Sequence, residues 1–516
     1  MAQEPDKLSR LAAWLLPLLA AGYSVINFLE TNITEARPAD AGALLGGMLL
    51  YALGLFVLLR LLRLTIYKAA LLSTLILICS LYGGMPYLLI RYMMRVDLPY
   101  VVFVGLLVML VGGIGILLAK SRASFKLPVL FLAIAAAVGL GSATANVTLY
   151  EMGRPNAADL AAPLGVTLET PKAKRNIYYI ILDRYAAART LAADYDFDNG
   201  DFTSFLRKSG FYVADNSVSN YPKTAQSISS SLNMDYHHFT ADQIPKDKSD
   251  WLPFHERLRH NRVTALLKGA GYKYIHMGSW WPATASSPMA DENFQTTLLS
   301  QFALKYLQRS LFDPLLHMFY DKQAQNSLAP DQCNRVPRKF AHLTEVAKGP
   351  KPVFVFAHFL IPHDPFVFDK TGHCLTREES AGRSLIENYL GQLQYGNQMI
   401  RALVDQLLTA PGPKPIIIIQ ADEGPFPVRY RRDEAGFQWK QATDQEFRQK
   451  MRILNAYYFP ETDPDIFYDS ITPVNSFRLL FNRYFGAELP LLADRNYAFP
   501  NAANRFDFFD VTDIVR

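Results

Sequence analysis

The chain has 516 residues, of which 50% are hydrophobic, and its formal net charge is +5. This length exceeds what one ordinary hydrophobic core accommodates, so at least two domains are expected. The small net charge, and the lack of any block rich in Lys and Arg with interleaved aromatic residues, argue against nucleic acid as a partner.

Apolar stretches dominate the first part of the chain. Five of them lie at roughly residues 11–29, 42–60, 69–90, 99–119 and 127–146, and each is near the ~20 residues that a helix needs to cross a bilayer. We therefore predict a transmembrane domain of five helices over residues 1–146. A cleaved signal peptide is the alternative for the first stretch, but no small-residue cleavage site follows it directly.

Basic residues set the orientation of these stretches. One side carries Lys7, Arg10, Arg60, Arg63, Lys68, Lys120, Arg122 and Lys126, whereas the short loops of the other side carry only Arg37, Arg91 and Arg95. The side with more basic residues is expected to face the cytoplasm. With five spans, everything after about residue 147 is then predicted to lie outside the cytoplasm.

The rest of the chain is predicted to be a linker over residues 147–175, a folded domain over 176–485 and a carboxyl-terminal tail over 486–516. Apolar runs at 176–183, 211–213, 352–360, 415–421 and 453–459 alternate with helical segments such as 201–210 and 385–408. Such alternation predicts an α/β domain with a mainly parallel sheet between helices. An insertion at about 234–345 is interpreted as a capping subdomain or as a determinant of substrate specificity.

Carboxylates close two of the apolar runs. Asp183 follows the first run, and Asp422 and Glu423 follow the run at 415–421. The carboxyl edge of an open α/β sheet is where ligands bind. Oxygen ligands gathered there from distant segments predict a site for a hard cation.

Two other segments offer reactive side chains. Thr224 lies in the hydroxyl-rich segment 219–233, where a helix is predicted to begin, and a helix amino terminus can hold a phosphate. The alternative for this segment is an ordinary Ser/Thr cap. His358 and His363 lie where the run at 352–360 passes into a proline-rich loop. They are candidates for metal ligation, phosphate binding or acid–base catalysis, with a structural role as the alternative.

The three cysteines are less informative. Cys79 falls within a predicted span and is expected to pack there as a small apolar residue. Cys333 and Cys374 would both face an oxidising compartment, so they either form a disulfide or remain free.

Together these features resemble the alkaline phosphatase and sulfatase superfamily, in particular its membrane-anchored branch of lipoteichoic acid synthase and the phosphoethanolamine transferases. An acidic ligand at the end of an early strand is matched by Asp183, and the nucleophilic threonine of a Thr-x-x-Ser pattern by Thr224. A His-x-Pro loop is matched by residues 363–365. The late Asp-His-Gly is represented here by Asp-Glu-Gly at 422–424, so Glu423 stands where the family has histidine.

The resemblance implies a metal site and a covalent mechanism. The metal ligands would be Asp183, Thr224, Asp422 and Glu423, and the catalytic residues Thr224, His358 and His363. Because that ligand set contains only oxygen donors, it favours Mn²⁺ or Mg²⁺ over Zn²⁺. Beyond the metal, no cofactor-binding residue is predicted.

The activity that the resemblance implies is transfer of a phospholipid head group. Phosphoethanolamine or phosphoglycerol would pass from a membrane phospholipid donor, through a phosphothreonine, to an extracytoplasmic glycan or lipid acceptor. The protein is then expected to be a multi-pass protein of the bacterial inner membrane with a periplasmic carboxyl-terminal domain in the cell envelope.

Other functions remain open. A phosphodiesterase or phosphatase on the same scaffold would use water as the acceptor. A non-catalytic membrane partner in envelope polysaccharide assembly would keep the fold and lose the chemistry. Sulfate ester hydrolysis through formylglycine is disfavoured, because the segment 333–338 lacks the spacing of the Cys/Ser-x-Pro-x-Arg pattern. The oligomeric state is left undetermined by the sequence.

Overall fold

The structure, a computed structural model, describes residues 4–94, 96, 98–154, 164–171, 173–239, 244, 246, 249–294, 299–317, 327–349 and 352–516. These residues form two compact units. A helical unit contains the described residues of 1–154 and 297–319, and an α/β unit contains those of 155–296 and 320–516. Part of the predicted linker, at residues 155–163 and 172, lies outside the described residues.

The helices and strands are numbered in chain order over the described residues. The helices are α1 Glu4–Thr31, α2 Pro38–Leu61, α3 Ile66–Tyr82, α4 Gly84–Leu88, α5 Tyr100–Lys120, α6 Lys126–Met152, α7 Ala188–Tyr195, α8 Gly200–Lys208, α9 Thr224–Asn233, α10 Leu252–Arg259, α11 Arg262–Gly269, α12 Pro282–Ala285, α13 Gln301–Leu307, α14 Asp313–His317, α15 Pro330–Lys348, α16 Arg377–Ala381, α17 Leu385–Thr409, α18 Val428–Arg432, α19 Asp444–Met451, α20 Pro473–Phe485 and α21 Thr512–Val515. The strands are β1 Ile177–Leu182, β2 Tyr212–Val213, β3 Lys273–Met277, β4 Glu292–Asn293, β5 Val353–Phe359, β6 Ile416–Gln420, β7 Asn455–Tyr458, β8 Tyr497–Ala498 and β9 Phe509–Asp510. A π-helical turn at Leu89–Met93 and two 3-10 turns at Trp439–Gln441 and Pro464–Ile466 complete the assignment.

The helical unit has an apolar helix for each of the five predicted stretches. Four of these helices, α1, α2, α5 and α6, are long and apolar enough to cross a membrane. The remaining one, α3, has 17 residues and is a shorter apolar helix. Helix α6 continues to Met152, so it extends past the predicted end of the membrane domain at residue 146.

A piece of the predicted insertion packs in the helical unit. The ring of Phe302 lies 4.9 Å from that of Phe28, and the hydroxyl of Tyr306 is hydrogen-bonded to that of Ser24. Residues 299–317 therefore belong with the helices, although the sequence around them belongs to the α/β unit.

The α/β unit is built on one large sheet. Its seven strands are in the order β2-β7-β6-β1-β5-β3-β4. Strands β6, β1, β5, β3 and β4 run parallel to one another, while β7 is antiparallel to both β6 and β2. The sheet is thus mainly parallel, as predicted. Strands β3 and β4 come from within the predicted insertion, which therefore contributes to the sheet.

Alternate residues of β1 enter two separate hydrophobic cores. Tyr178, Ile180 and Leu182 belong to the core that includes residues of α8, α15 and α17. Ile177, Tyr179 and Ile181 belong to the core that includes residues of α9, α11 and α20. A strand that is buried on both faces reads as a continuous apolar run, which is what residues 177–182 show. Helices therefore cover the central sheet on both faces.

Residues after 485 fold with the α/β unit. Strands β8 and β9 form an antiparallel pair, and the backbone N–H of Tyr497 donates to the carbonyl of Asn220 at 2.9 Å. A disulfide joins Cys333 of α15 to Cys374. Of the two alternatives left open for these cysteines, the structure has the disulfide.

Candidate active site

Three buried side chains meet at the carboxyl edge of the sheet. Asp183 follows β1, Asp422 lies just beyond β6, and His358 is the penultimate residue of β5. Because β6, β1 and β5 are adjacent parallel strands, their carboxyl ends lie side by side. One ligand atom from each residue lies within 4.8 Å of the others, and none of the three is more than 2% exposed.

Polar contacts orient the imidazole of His358 and the carboxylate of Asp422. Nε2 of His358 lies 3.1 Å from Oδ2 of Asp183, while Nδ1 of the same ring lies 2.9 Å from Oγ1 of Thr284. The backbone N–H of Arg184 donates to Oδ1 of Asp422 at 3.3 Å. In the described part of the chain, Oδ1 of Asp183 and Oδ2 of Asp422 have no hydrogen-bond partner.

Thr224 is the first residue of α9, as the sequence predicted for a hydroxyl at a helix amino terminus. Its side-chain hydroxyl lies close to the carboxylate of Asp422 and acts to lower the pKa of that carboxyl. The backbone amides of the first helical turn face outward there, and together with the helix dipole they favour an anion. The structure therefore brings together the acidic residues at 183 and 422 and the hydroxyl at 224.

Glu423 has a different environment from its neighbour Asp422. Its Oε1 lies 2.6 Å from Nζ of Lys450 and 3.5 Å from Nε of Arg184. The side chains of Glu423 and Lys450 are almost completely buried, at 1% and 0% exposure. Glu423 is outside the Asp183, His358 and Asp422 group, so its role as a metal ligand stays a prediction.

The absence of a side chain at Gly424 allows Glu423 and Lys450 to pair. The carbonyl of Gly424 accepts from Nζ of Lys450 at 2.9 Å, and its N–H donates to the carbonyl of Lys450 at 2.7 Å. A Cβ at this position would lie 2.3 Å from the carbonyl oxygen of Gln449. Only glycine permits this close approach of the two backbones.

The loop after β5 brings His363 and Asp364 next to Arg184. The guanidinium of Arg184 forms an ion pair with Asp364, which also lies 3.3 Å from the guanidinium of Arg431. The Nδ1 atom of His363 is hydrogen-bonded to the backbone carbonyl of Asp364. Arg184 thus links this loop to Glu423. The catalytic role of His363 stays a prediction.

Three cationic side chains surround the ring of Phe426. The charged groups of Arg184, Lys223 and Lys450 lie 4.1, 4.3 and 3.5 Å from the ring centroid. Sequence reasoning did not identify these three residues as functional. Arg184 and Lys223 are direct neighbours of Asp183 and Thr224, so adjacency was the only signal, and Lys450 had none.

Burial dominates the protonation behaviour of the site. It raises the pKa of Asp183 to about 8, although Arg184 acts to lower it. Burial, with the negative charge of Asp183 beside it, raises the pKa of Asp422 to about 8. Burial also lowers the pKa of His358 to about 4, so its imidazole is neutral at pH 7. The pKa of Lys450 falls to about 7, because burial outweighs the attraction of Glu423.

The group formed by Asp183, His358 and Asp422 fits a divalent metal ion. Ligand atoms at ~2.0–2.2 Å from an ion lie at most ~4.4 Å apart, so a spread of up to 4.8 Å needs only a small adjustment of side chains. The two unpartnered carboxylate oxygens and the neutral imidazole are all lone-pair donors. A cation would also offset the burial, and the repulsion between carboxylates, that raise the carboxyl pKa values.

Comparison with known proteins adds the family. The family model named Sulfatase matches residues 175–453, a span that includes Asp183, Thr224, His358, Asp422 and Lys450. The chain belongs to the Sulfatase family. A comparison of the chain with curated proteins finds no match.

Solved structures similar to this Sulfatase family chain include an integral membrane transferase. The periplasmic domain of EptC from Escherichia coli is 14% identical, with a TM-score of 0.44, covering 68% of this chain and 96% of that one. The same EptC domain has been solved in complex with Zn. Full-length lipooligosaccharide phosphoethanolamine transferase A from Neisseria meningitidis is 14% identical, with a TM-score of 0.38 and coverage of 88% of both chains. The lipoteichoic acid synthase LtaP from Listeria monocytogenes is 13% identical, with a TM-score of 0.38, covering 69% of this chain and 86% of that one.

Proposed function

We propose that this Sulfatase family protein transfers a phospholipid-derived head group, phosphoethanolamine or phosphoglycerol, to an extracytoplasmic glycan or lipid. The reaction passes through a phosphothreonine at residue 224. The observation that carries the proposal is the buried group of Asp183, His358 and Asp422, with the hydroxyl of Thr224 close to the carboxylate of Asp422. Apolar helices in the same chain suit a lipid donor, since they hold the protein at the bilayer where the donor is concentrated.

Thr224 is placed to act as a nucleophile. In this proposal the carboxylate of Asp422, which lies close to the hydroxyl, receives the proton as the oxygen attacks phosphorus. A bond forms between Oγ1 and phosphorus, the bond from phosphorus to the diacylglycerol oxygen breaks, and diacylglycerol leaves with a proton. An acceptor hydroxyl then attacks the phosphothreonine, and Oγ1 of Thr224 recovers its proton.

Neighbouring groups support the same step. When bound, a divalent metal supplies a Lewis acid that lowers the pKa of the hydroxyl and offsets charge on the phosphoryl oxygens. Asp183, His358 and Asp422 would hold it, with Thr224 alongside. The first-turn amides of α9 favour the anionic phosphoryl group. Positive charge is added around the ring of Phe426 by Arg184, Lys223 and Lys450.

A small aromatic crevice adjoins the nucleophile. Its lining includes Lys223, the residue before Thr224, together with Trp251, Tyr430, Glu434 and Trp439, and its volume of about 20 Å³ holds about one water molecule. Nζ of Lys223 lies 3.0 Å from the carboxylate of Glu434 within it. The crevice is too small for a head group or an acceptor, and neither is assigned to it.

The metal preference is reconsidered in this proposal. The expectation of Mn²⁺ or Mg²⁺ rested on a ligand set made only of oxygen atoms. The group at the sheet edge includes the imidazole of His358, and nitrogen donors also suit Zn²⁺. Metal content and activity should therefore be compared for Mn²⁺, Mg²⁺ and Zn²⁺ added to metal-stripped protein.

The decisive experiment uses the purified full chain with fluorescent phosphatidylglycerol or phosphatidylethanolamine. We expect release of fluorescent diacylglycerol and a mass increase on the peptide containing Thr224, both abolished in Thr224→Ala. The matched control is Thr203→Ala, which removes a buried threonine from α8 and should retain activity. Unchanged release from Thr224→Ala would defeat the proposal. Release that continues over many turnovers without a glycan or lipid acceptor would identify a hydrolase instead.

A further inference from the structure

A basic pocket lies at one end of the helical unit. It is formed where α1 begins, where α2 passes into α3, and where α5 passes into α6, and its volume is about 600 Å³. Hydrogen bonds hold the three segments together. The hydroxyls of Ser9 and Tyr67 are 2.9 Å apart, and Nζ of Lys68 donates to the carbonyls of Ala119 and Ser121 at 3.0 and 2.8 Å.

Positive charge dominates this pocket. Its lining includes the cationic residues Arg10, Arg60, Lys68, Arg122 and Lys126, and among the described residues that line it none is acidic. Lys68 donates to backbone carbonyls as described above, and the guanidinium of Arg60 donates to the carbonyl of Leu64. These hydrogen bonds satisfy the N–H donors of the two side chains but leave their positive charges in place. Like charges around a concave surface produce a local potential that attracts anions.

Apolar side chains flank the pocket on the outer faces of its helices. Leu61, Leu117 and Leu127 lie within a few residues of the cationic lining, and they are 75%, 72% and 77% exposed. A soluble anion would leave these side chains without an apolar partner, whereas the acyl chains of a lipid would cover them. Hydroxyl groups of Thr65, Ser121 and Ser124 in the lining add donors suited to phosphate oxygens.

We propose that the basic pocket binds the phosphodiester head group of an anionic phospholipid, whose acyl chains lie along the exposed leucines. Basic side chains are common in cytoplasmic loops of membrane proteins, but here the start of α1 and two interhelical connections converge on one cavity with hydroxyl groups. Basic pockets between transmembrane helices are known to bind anionic head groups. This site is independent of the transferase chemistry, because its residues all belong to the helical unit.

The test uses the full chain, purified in neutral detergent and delipidated. Native mass spectrometry and thermal unfolding are measured with phosphatidylglycerol, with phosphatidylcholine of the same acyl chains, with glycerol phosphate and with inorganic phosphate. We expect one tightly retained phosphatidylglycerol and a rise in unfolding temperature, and neither effect with phosphatidylcholine. Added KCl should weaken retention, since exposed charges are screened. Equal protection by glycerol phosphate or inorganic phosphate would overturn the lipid assignment.

Charge-removing variants locate the site. Arg10→Gln, Arg122→Gln and Lys126→Gln together should weaken phosphatidylglycerol binding at least tenfold, because basic groups near a membrane each contribute roughly a fivefold effect. The matched control is Lys208→Gln with Lys348→Gln and Lys370→Gln, which removes the same charge from exposed positions of the α/β unit. If the triple variant does not fold, Arg122→Gln alone should still show a measurable loss. Binding unchanged in Arg122→Gln and in any folded triple variant refutes the proposal.

Discussion

Replacement of Lys450 by Met tests the buried ion pair next to the candidate metal group. Nζ of Lys450 lies 2.6 Å from Oε1 of Glu423, and neither side chain is more than 1% exposed. With Lys450 gone, the carboxylate of Glu423 would remain buried beside Asp183 and Asp422. Among the described residues, Arg184 at 3.5 Å would be its remaining ion-pair partner, and Lys223 would act from farther away. We therefore expect Lys450→Met to destabilise the α/β unit strongly.

The magnitude follows from the cost of an uncompensated buried charge. Breaking a buried pair by removing one partner costs about 3–5 kcal/mol, much of it the desolvation of the charge left behind. Glu423→Gln should cost less, about 1–3 kcal/mol, because Lys450, whose pKa is lowered to about 7 by burial, can lose its proton. Glu423→Gln combined with Lys450→Met should cost less than the sum of the two single changes.

Urea denaturation followed by tryptophan fluorescence is the suitable assay. Four of the five tryptophans lie in the α/β unit, at residues 251, 280, 281 and 439, so the signal reports mainly on that unit. Lys348→Met serves as the matched control, because Lys348 pairs with Glu345 at 2.9 Å while both side chains are more than 60% exposed. Exposed pairs contribute little to stability. A loss in Lys450→Met no larger than in Lys348→Met would refute this reasoning, as would strictly additive single and double changes.

Three further predictions concern the same unit. Cys333→Ser should lower the free energy of unfolding by about 2–4 kcal/mol, because the disulfide closes a loop with a sequence separation of 41. Equal stability of the oxidised wild type and the variant would contradict this prediction. Thr284→Val removes the hydroxyl that is hydrogen-bonded to Nδ1 of His358, and it should weaken metal affinity roughly 10–100-fold. Competition with a chelator measures this affinity. The control Thr344→Val on α15 should leave the affinity unchanged. In metal-free protein the raised pKa values of Asp183 and Asp422, each about 8, mean that the folded state binds more protons than the unfolded state between about pH 4 and pH 8. The buried His358 and Lys450, whose pKa values are lowered, act in the opposite direction. The unfolding temperature of the wild type relative to that of Asp183→Asn with Asp422→Asn should therefore fall as pH rises through that window; a difference that rises instead would contradict the assignment.

Local patterns in the sequence were sufficient for much of the fold. The short continuous apolar run Ile177–Leu182 predicts a buried strand, and the helix at Leu385–Thr409 follows from apolar residues at helical spacing. Both signals depend only on residues close in the chain. The same reasoning placed Asp183 and Asp422 at the ends of strands and Thr224 at the start of a helix, where the structure has them.

Only the tertiary structure determines which residues that are distant in sequence contact one another. The order β6-β1-β5 places His358 beside Asp183 and Asp422, and that order is a property of the whole sheet. The pairing of Glu423 with Lys450 depends on the close backbone contact at Gly424, which no local pattern encodes. Residues 299–317 likewise pack with the helical unit because of contacts to α1. The sequence by itself determined which elements form and which end of each carries a reactive group. Which groups share a site depends on long-range packing, since burial creates a need for a partner without specifying which one.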